Sequence, residues 1–164
     1  MEANMAEEKK QAALKIVIDD GSQRIPIENM NGDEIGVFYF HPTDVGIIER
    51  YNETMSKFDE IVAPLEEINI NADGTADAND EAAAKALKEA EKRLYEACDY
   101  IFGGNMSEAF FGKMHPFSPV GGLFYCESAL NKVGAFISEQ FEQETTKINS
   151  RLKQYVGKYG KGKK

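Results

Sequence analysis

The sequence predicts an α+β fold: a small three-stranded antiparallel sheet at the N-terminus, followed by a three-helix, mainly helical part. Three observations carry this. Before residue 41, short apolar runs are separated by Asp-Gly and Asn-Gly turn signals. After it, three segments repeat apolar residues at spacings of three and four. Between the last two of these lies Tyr100–Gly122, rich in Gly, Phe and Pro, which reads as a corner.

The first strand is expected at 14–19 (LKIVID), turning at Asp20-Gly21 into a second at 22–28 (SQRIPIE), because Gly accepts positive φ at low cost. Pro26 removes a ladder donor and puts the second strand on an edge. Asn29-Met30-Asn31-Gly32-Asp33 turns into a third strand at 34–40 (EIGVFYF). His41-Pro42-Thr43-Asp44 opens a helix that Thr43 or Asp44 caps. Ile48, Tyr51, Met55, Phe58, Val62 and Leu65 lie along one face of it, and Pro64 stops it or kinks its last turn. A polar loop, 69–80, leads into a helix from about Glu81 to Phe102, with Ala83, Leu87, Ala90, Leu94, Cys98 and Ile101 as its apolar stripe. A last helix runs from about Leu123 to Tyr155, lined by Cys126, Leu130, Val133, Ile137, Phe141, Ile148 and Leu152. Its second half is poor in apolar residues, so it either projects or awaits a partner. The domain reading is a flexible N-terminus at 1–12, a single α+β domain at 13–156 and a flexible basic tail at 157–164.

With 164 residues and 42% hydrophobic content, the chain can bury a core without disulfide staples. No apolar run reaches the roughly 20 residues of a membrane span, and the polar start lacks the apolar segment of a signal peptide. A cytoplasmic location is expected, with Cys98 and Cys126 reduced and buried. The net charge of −9 is uneven: the first 150 residues hold 13 basic against 28 acidic residues, and 151–164 hold six basic and none acidic. An acidic body repels phosphate backbones, which argues against nucleic-acid binding.

The corner needs weighing as a site. Gly112-Lys113 is reminiscent of a phosphate loop, but Ser107 stands where the first Gly belongs, Met114 follows the Lys, and no strand precedes it. A packed corner explains more: Gly103-Gly104 ends one helix, Ser107 caps a short turn that Gly112 ends, Pro116 and Pro119 block continuation, and Phe102, Phe110, Phe111 and Phe117 fill the gap. Asn69, Asn71, Asp73, Gly74, Asp77 and Asp80 stand at the offsets of a calcium loop, as in an EF-hand. Asn69 for Asp, Asp80 for Glu and Ala76 for an aliphatic residue depart from that pattern; the other reading is a connector whose Asn79 or Asp80 caps the next helix. His41, Cys98, His115 and Cys126 lack zinc-site spacing, and neither Cys lies near a His in sequence. No catalytic, cofactor-binding or metal-ligating residue is assigned.

Four stretches, "GVFYFHPTDVGIIERYNETMSKF", "LYEACDYIFGG", "SEAFFGKMHPFSP" and "SALNKVGAFISEQFEQETTKINSRLKQY" with its Lys/Gly tail, lie within residues 35–164. In this order they resemble the small tail assembly chaperones of long-tailed bacteriophages (siphophages) and prophages. The resemblance implies a non-enzymatic protein of the bacterial cytoplasm that binds the tape measure protein or other phage tail proteins, and itself as a homo-oligomer, without cofactor, nucleic acid or membrane. It also implies that a longer form made by programmed frameshifting can exist, and the Gly-Lys and Lys-Lys pairs of the tail suit a slippery coding run. The alternatives are a minor phage structural protein of the tail or head-tail junction, and a weak calcium-binding interaction module using the 69–80 loop.

Overall fold

The computed structural model describes residues 14–66, 68 and 80–160. The expected flexible start, nearly all of the calcium-type loop (69–79) and the end of the basic tail (161–164) lie outside the described residues. The fold is α+β, as expected. Its order is β1 (Gln23–Glu28), β2 (Glu34–Phe40), α1 (Gly46–Met55), α2 (Phe58–Val62), a 3-10 turn (Ala63–Leu65), α3 (Asp80–Phe102), α4 (Met106–Phe111), β3 (Pro119–Val120), β4 (Leu123–Phe124) and α5 (Tyr125–Gly160).

β1 and β2 form an antiparallel hairpin, with Ile25 opposite Phe38, Pro26 opposite Val37, and a register shift between Ile27 and Glu28. Asn29 builds the turn: its Oδ1 accepts the amides of Asn31 and Asp33 at 2.9 and 3.0 Å, and Gly32 takes φ +85°. The expected first strand, at 14–19, does not form, so the sheet has two strands and not three. Residues 15–20 belong to no strand, and Leu14, Ile16, Val17 and Ile18 are at least 80% exposed. The reason lies in the edge such a strand would join. Val37 and Tyr39 direct their backbone groups away from β1, toward the side chain of Asn105. Antiparallel pairs alternate, so their partners Pro26 and Arg24 direct theirs to the free edge of β1. Pro26 has no N–H to offer there.

The other edge of the hairpin is closed by the corner. Asn105 Oδ1 accepts the Tyr39 amide at 2.8 Å, and its Nδ2 donates to the Val37 carbonyl at 2.9 Å, so one side chain imitates a neighbouring strand. The backbones meet without side chains between them. A Cβ on Gly36 would strike the carbonyl of Ala109, and one on Gly104 would strike the carbonyl of Tyr39. Gly103, at φ +63°, ends α3, its amide donating to the Asp99 carbonyl at 3.0 Å.

Phe38 and Phe40 project from one face of β2 and stack at 4.1 Å between centroids. Phe110 meets Phe38 edge-on at 5.6 Å, and Phe102 packs edge-on against both rings. Around them lie Ala90, Leu94, Cys98 and Ile101 from α3 and Cys126, Ala129 and Val133 from α5, all buried. These match the expected stripe of α3 and the first half of that of α5.

Two expectations change in detail. The first long helix breaks at Ser56–Lys57, between α1 and α2. Its apolar face therefore divides: Phe58, Val62 and Leu65 pack against the core with Ile47, while Ile48, Tyr51 and Met55 are exposed. The N-cap position of α1 is Val45, which makes no side-chain cap bond; Asp44, one residue earlier, accepts the Gly46 amide at 2.9 Å through Oδ1, and Arg50 joins Asp44 (3.0 Å) to the Ile101 carbonyl (2.9 Å) at the end of α3. Ser107 does not cap its own helix. Its hydroxyl and amide both donate to Asp99, at 2.6 and 2.9 Å, fastening α4 onto α3. The sequence also left unseen the β3–β4 hairpin, turned by Gly121 and Gly122 at φ +63° and +84°. The first amides of α5 are taken by chain carbonyls: Tyr125 N–H donates to Ser118 and Cys126 N–H to Pro116, each at 2.8 Å. α5 continues to Gly160, past the expected end at Tyr155.

Asn105→Ala removes both edge bonds and leaves the Tyr39 amide and Val37 carbonyl to solvent or orphaned. Urea unfolding should show a loss of about 1–3 kcal/mol. Amide exchange should show Tyr39 losing protection more than its neighbours in β2.

Candidate functional site

The titratable residues singled out in the sequence are scattered. His41 Nε2 lies 2.8 Å from Asp20 Oδ2, an exposed pair that ties the unpaired segment to the start of the α1 turn. The Ser22 hydroxyl and then the His41 ring hold the Asp20 carboxyl well below the usual range. His115 is placed differently. Its Nδ1 accepts the Phe117 amide at 3.2 Å, which leaves the proton on Nε2, 3.0 Å from Glu91 Oε2 at an angle poor for a hydrogen bond. Burial, then the charge of Glu91, pushes the nearby Tyr95 hydroxyl up to about 12. Both histidines sit where elements join, His41 in an exposed ion pair and His115 against the Phe117 ring at 6.0 Å between centroids.

The cysteines are free and buried. Burial pushes the Cys98 thiol up to about 12 and the Cys126 thiol up to about 11. At neutral pH both are protonated and neither is an activated nucleophile. Among the described residues no three or more His, Cys, Asp or Glu side chains gather where they could hold a metal ion. Gly112 and Lys113 are exposed at the end of α4, a helix of six residues. The corner is packed: Phe102, Phe110, Phe111 and Phe117 are each at most 9% exposed.

Clefts exist, and their linings are instructive. One between β1 and α5 has a volume of about 320 Å³, with Phe38, Phe40, Phe110 and Phe136 in its lining. Another separates α1 and α2 from α3, where Arg93 Nη1 donates to the Glu60 carbonyl and Tyr100 Oη donates to Glu53 Oε2 at 2.9 Å.

What the described surface offers in quantity is apolar side chains in helical register. On α1, Ile48, Tyr51 and Met55 are 56%, 43% and 38% exposed at spacings of three and four. On α5, Ile148, Leu152 and Val156 are exposed at spacings of four, beyond Gln140, whose Oε1 accepts from Gln23 Nε2 at 3.2 Å. Sequence periodicity found all of these residues but Val156, which lies past the expected helix end, and could not say which way they face. A core stripe and a docking stripe have the same spacing. Among the described residues, no helix is long and apolar enough to cross a membrane. No family model, curated protein or solved structure matches the chain.

Two outcomes follow from the titrating groups. The native thiols should stay inert to a disulfide reagent at pH 8 and react fully in denaturant. Because the folded thiols titrate above the unfolded value of about 8.5, their contribution to stability is complete below that pH and falls as pH rises toward 11–12. His41→Gln should return the Asp20 carboxyl toward its ordinary range in an NMR titration, with little change in melting temperature because the pair is exposed.

Proposed function

We propose that this chain is a non-enzymatic binding protein that acts as a tail assembly chaperone of a phage or prophage in the cytoplasm of the bacterial host. It covers an apolar helical stretch of the tape measure protein. The observation that supports this most is the outward face of α1. Ile48, Tyr51 and Met55 stand at i, i+3 and i+7, the anchor spacing by which helices recognise one another along a groove. Glu49 and Glu53 on the same helix supply a charged rim. A tape measure segment is long, helical and apolar, and aggregates when left bare. A small acidic protein that lays such a face on it supplies solubility with the contact, since the body carries a large negative charge.

The titratable groups are consistent with binding as the work of this chain. Burial keeps the thiols protonated, and the two histidines each sit where elements join.

The test is co-expression with a phage tape measure protein. Wild type should keep the tape measure protein soluble and co-purify with it. Ile48→Asp and Met55→Asp should weaken the complex about tenfold or more each, from the roughly 1.5–3 kcal/mol that burying such a side chain contributes. Both variants should melt as the wild type does, since the replaced side chains are exposed. A tape measure protein that precipitates regardless, or a chain retained stoichiometrically in purified tails, would reject the chaperone reading.

A further inference from the structure

The last helix has 36 residues and spans about 54 Å. Its first turns are core: Cys126, Ala129 and Val133 are at most 4% exposed, and Phe136 and Ile137 pack against the cluster. Past Phe141 every described side chain is exposed. The projecting half still keeps an apolar line. At about 100° per residue, Phe141, Ile148, Leu152 and Val156 share one face, with Thr145 filling the gap in the series.

The charges beside that line are ordered. Glu144 and Arg151 fall on one flank, and Glu142 and Lys153 on the other. On each flank the acidic residue comes first along the chain and the basic residue second. That order selects an occupant. In an antiparallel pair of identical helices, each flank faces its own copy with the direction reversed. Glu144 then meets Arg151 of the second copy, and Glu142 meets its Lys153. Two-fold symmetry repeats both contacts, making four opposite-charge pairs. Within two residues of that register, Phe141 comes level with Val156 and Thr145 with Leu152, and Ile148 lies near the centre. In a parallel pair the two flanks face each other, so Glu144 would meet Glu142 and Arg151 would meet Lys153, with like charges in contact throughout.

We propose that the projecting half of α5 is a self-association surface, which pairs antiparallel with the same segment of a second copy of this chain. The pairing leaves the exposed face of α1 free. It does not depend on the chaperone reading, which concerns a different helix and a different partner.

Sedimentation velocity of the full chain over a wide concentration range tests this. The wild type should pass from monomer to dimer. E142K/E144K and R151E/K153E should each raise the dissociation constant about tenfold or more, because each turns all four cross pairs into like-charge contacts. Mixed in equal amounts, the two variants should recover a dimer of near wild-type affinity, since every cross pair is opposite again. I148D/L152D should be monomeric. All of these variants should keep the wild-type melting temperature, since the replaced residues lie outside the core. A wild type that stays monomeric throughout, a dimer that survives I148D/L152D, or charge-reversed variants that do not recover on mixing would each overturn the proposal.

Discussion

The structure depends on one close approach of backbones. β2 lies directly on the corner between α3 and α4, with Gly36 against Ala109 and Gly104 against Tyr39, where even a methyl group would collide. Asn105 locks that approach by bonding the edge of the strand as a neighbouring strand would. From this contact the rest follows in order. It brings Phe38 and Phe40 over Phe102 and Phe110. The resulting aromatic cluster gives α3 and the first half of α5 their common packing surface. Asp99 reinforces the corner from the helix side by holding Ser107.

Once that cluster is complete, the core has little use for more apolar surface. α1 is positioned by polar contacts, with Arg50 joining Asp44 to the end of α3, and by the burial of Ile47 alone in its own span. The break at Ser56–Lys57 then lets α2 turn inward while α1 keeps three apolar side chains outside. α5 outruns the body for a similar reason. The core ends near Ile137 and the helix does not. The unpartnered surface thus lies on helices whose placement is settled elsewhere, and a partner can dock there without disturbing the packing.

Much of this was legible in the sequence, for identifiable reasons. Gly103 as a helix end, the Asn29–Gly32 turn and the stripe of α3 each follow from local rules that tertiary contacts leave intact. The corner was recognised as packed because four phenylalanines between glycines and prolines have few other uses. The failures involve partners distant in sequence. Residues 14–19 have the composition of a strand, yet pairing needs an edge, and Pro26 and Asn105 decide the edges. Asn105 lies 66 residues from Tyr39, and nothing local marks it as a strand substitute. Ser107 looked like a cap for its own helix and instead serves Asp99, a full turn and a corner away. For the candidate site, spacing identified Ile48, Tyr51 and Met55 as one face, and the direction of that face was fixed only by where the helix broke.

Sealing both edges of the small sheet has a consequence for how the molecule meets its surroundings. An open strand edge recruits any extended peptide, because backbone hydrogen bonds are blind to sequence. Here Pro26 blunts one edge and Asn105 occupies the other. The sheet is thereby shielded from indiscriminate templating. Any partner would have to be recognised through side chains, where a single substitution can redirect the contact.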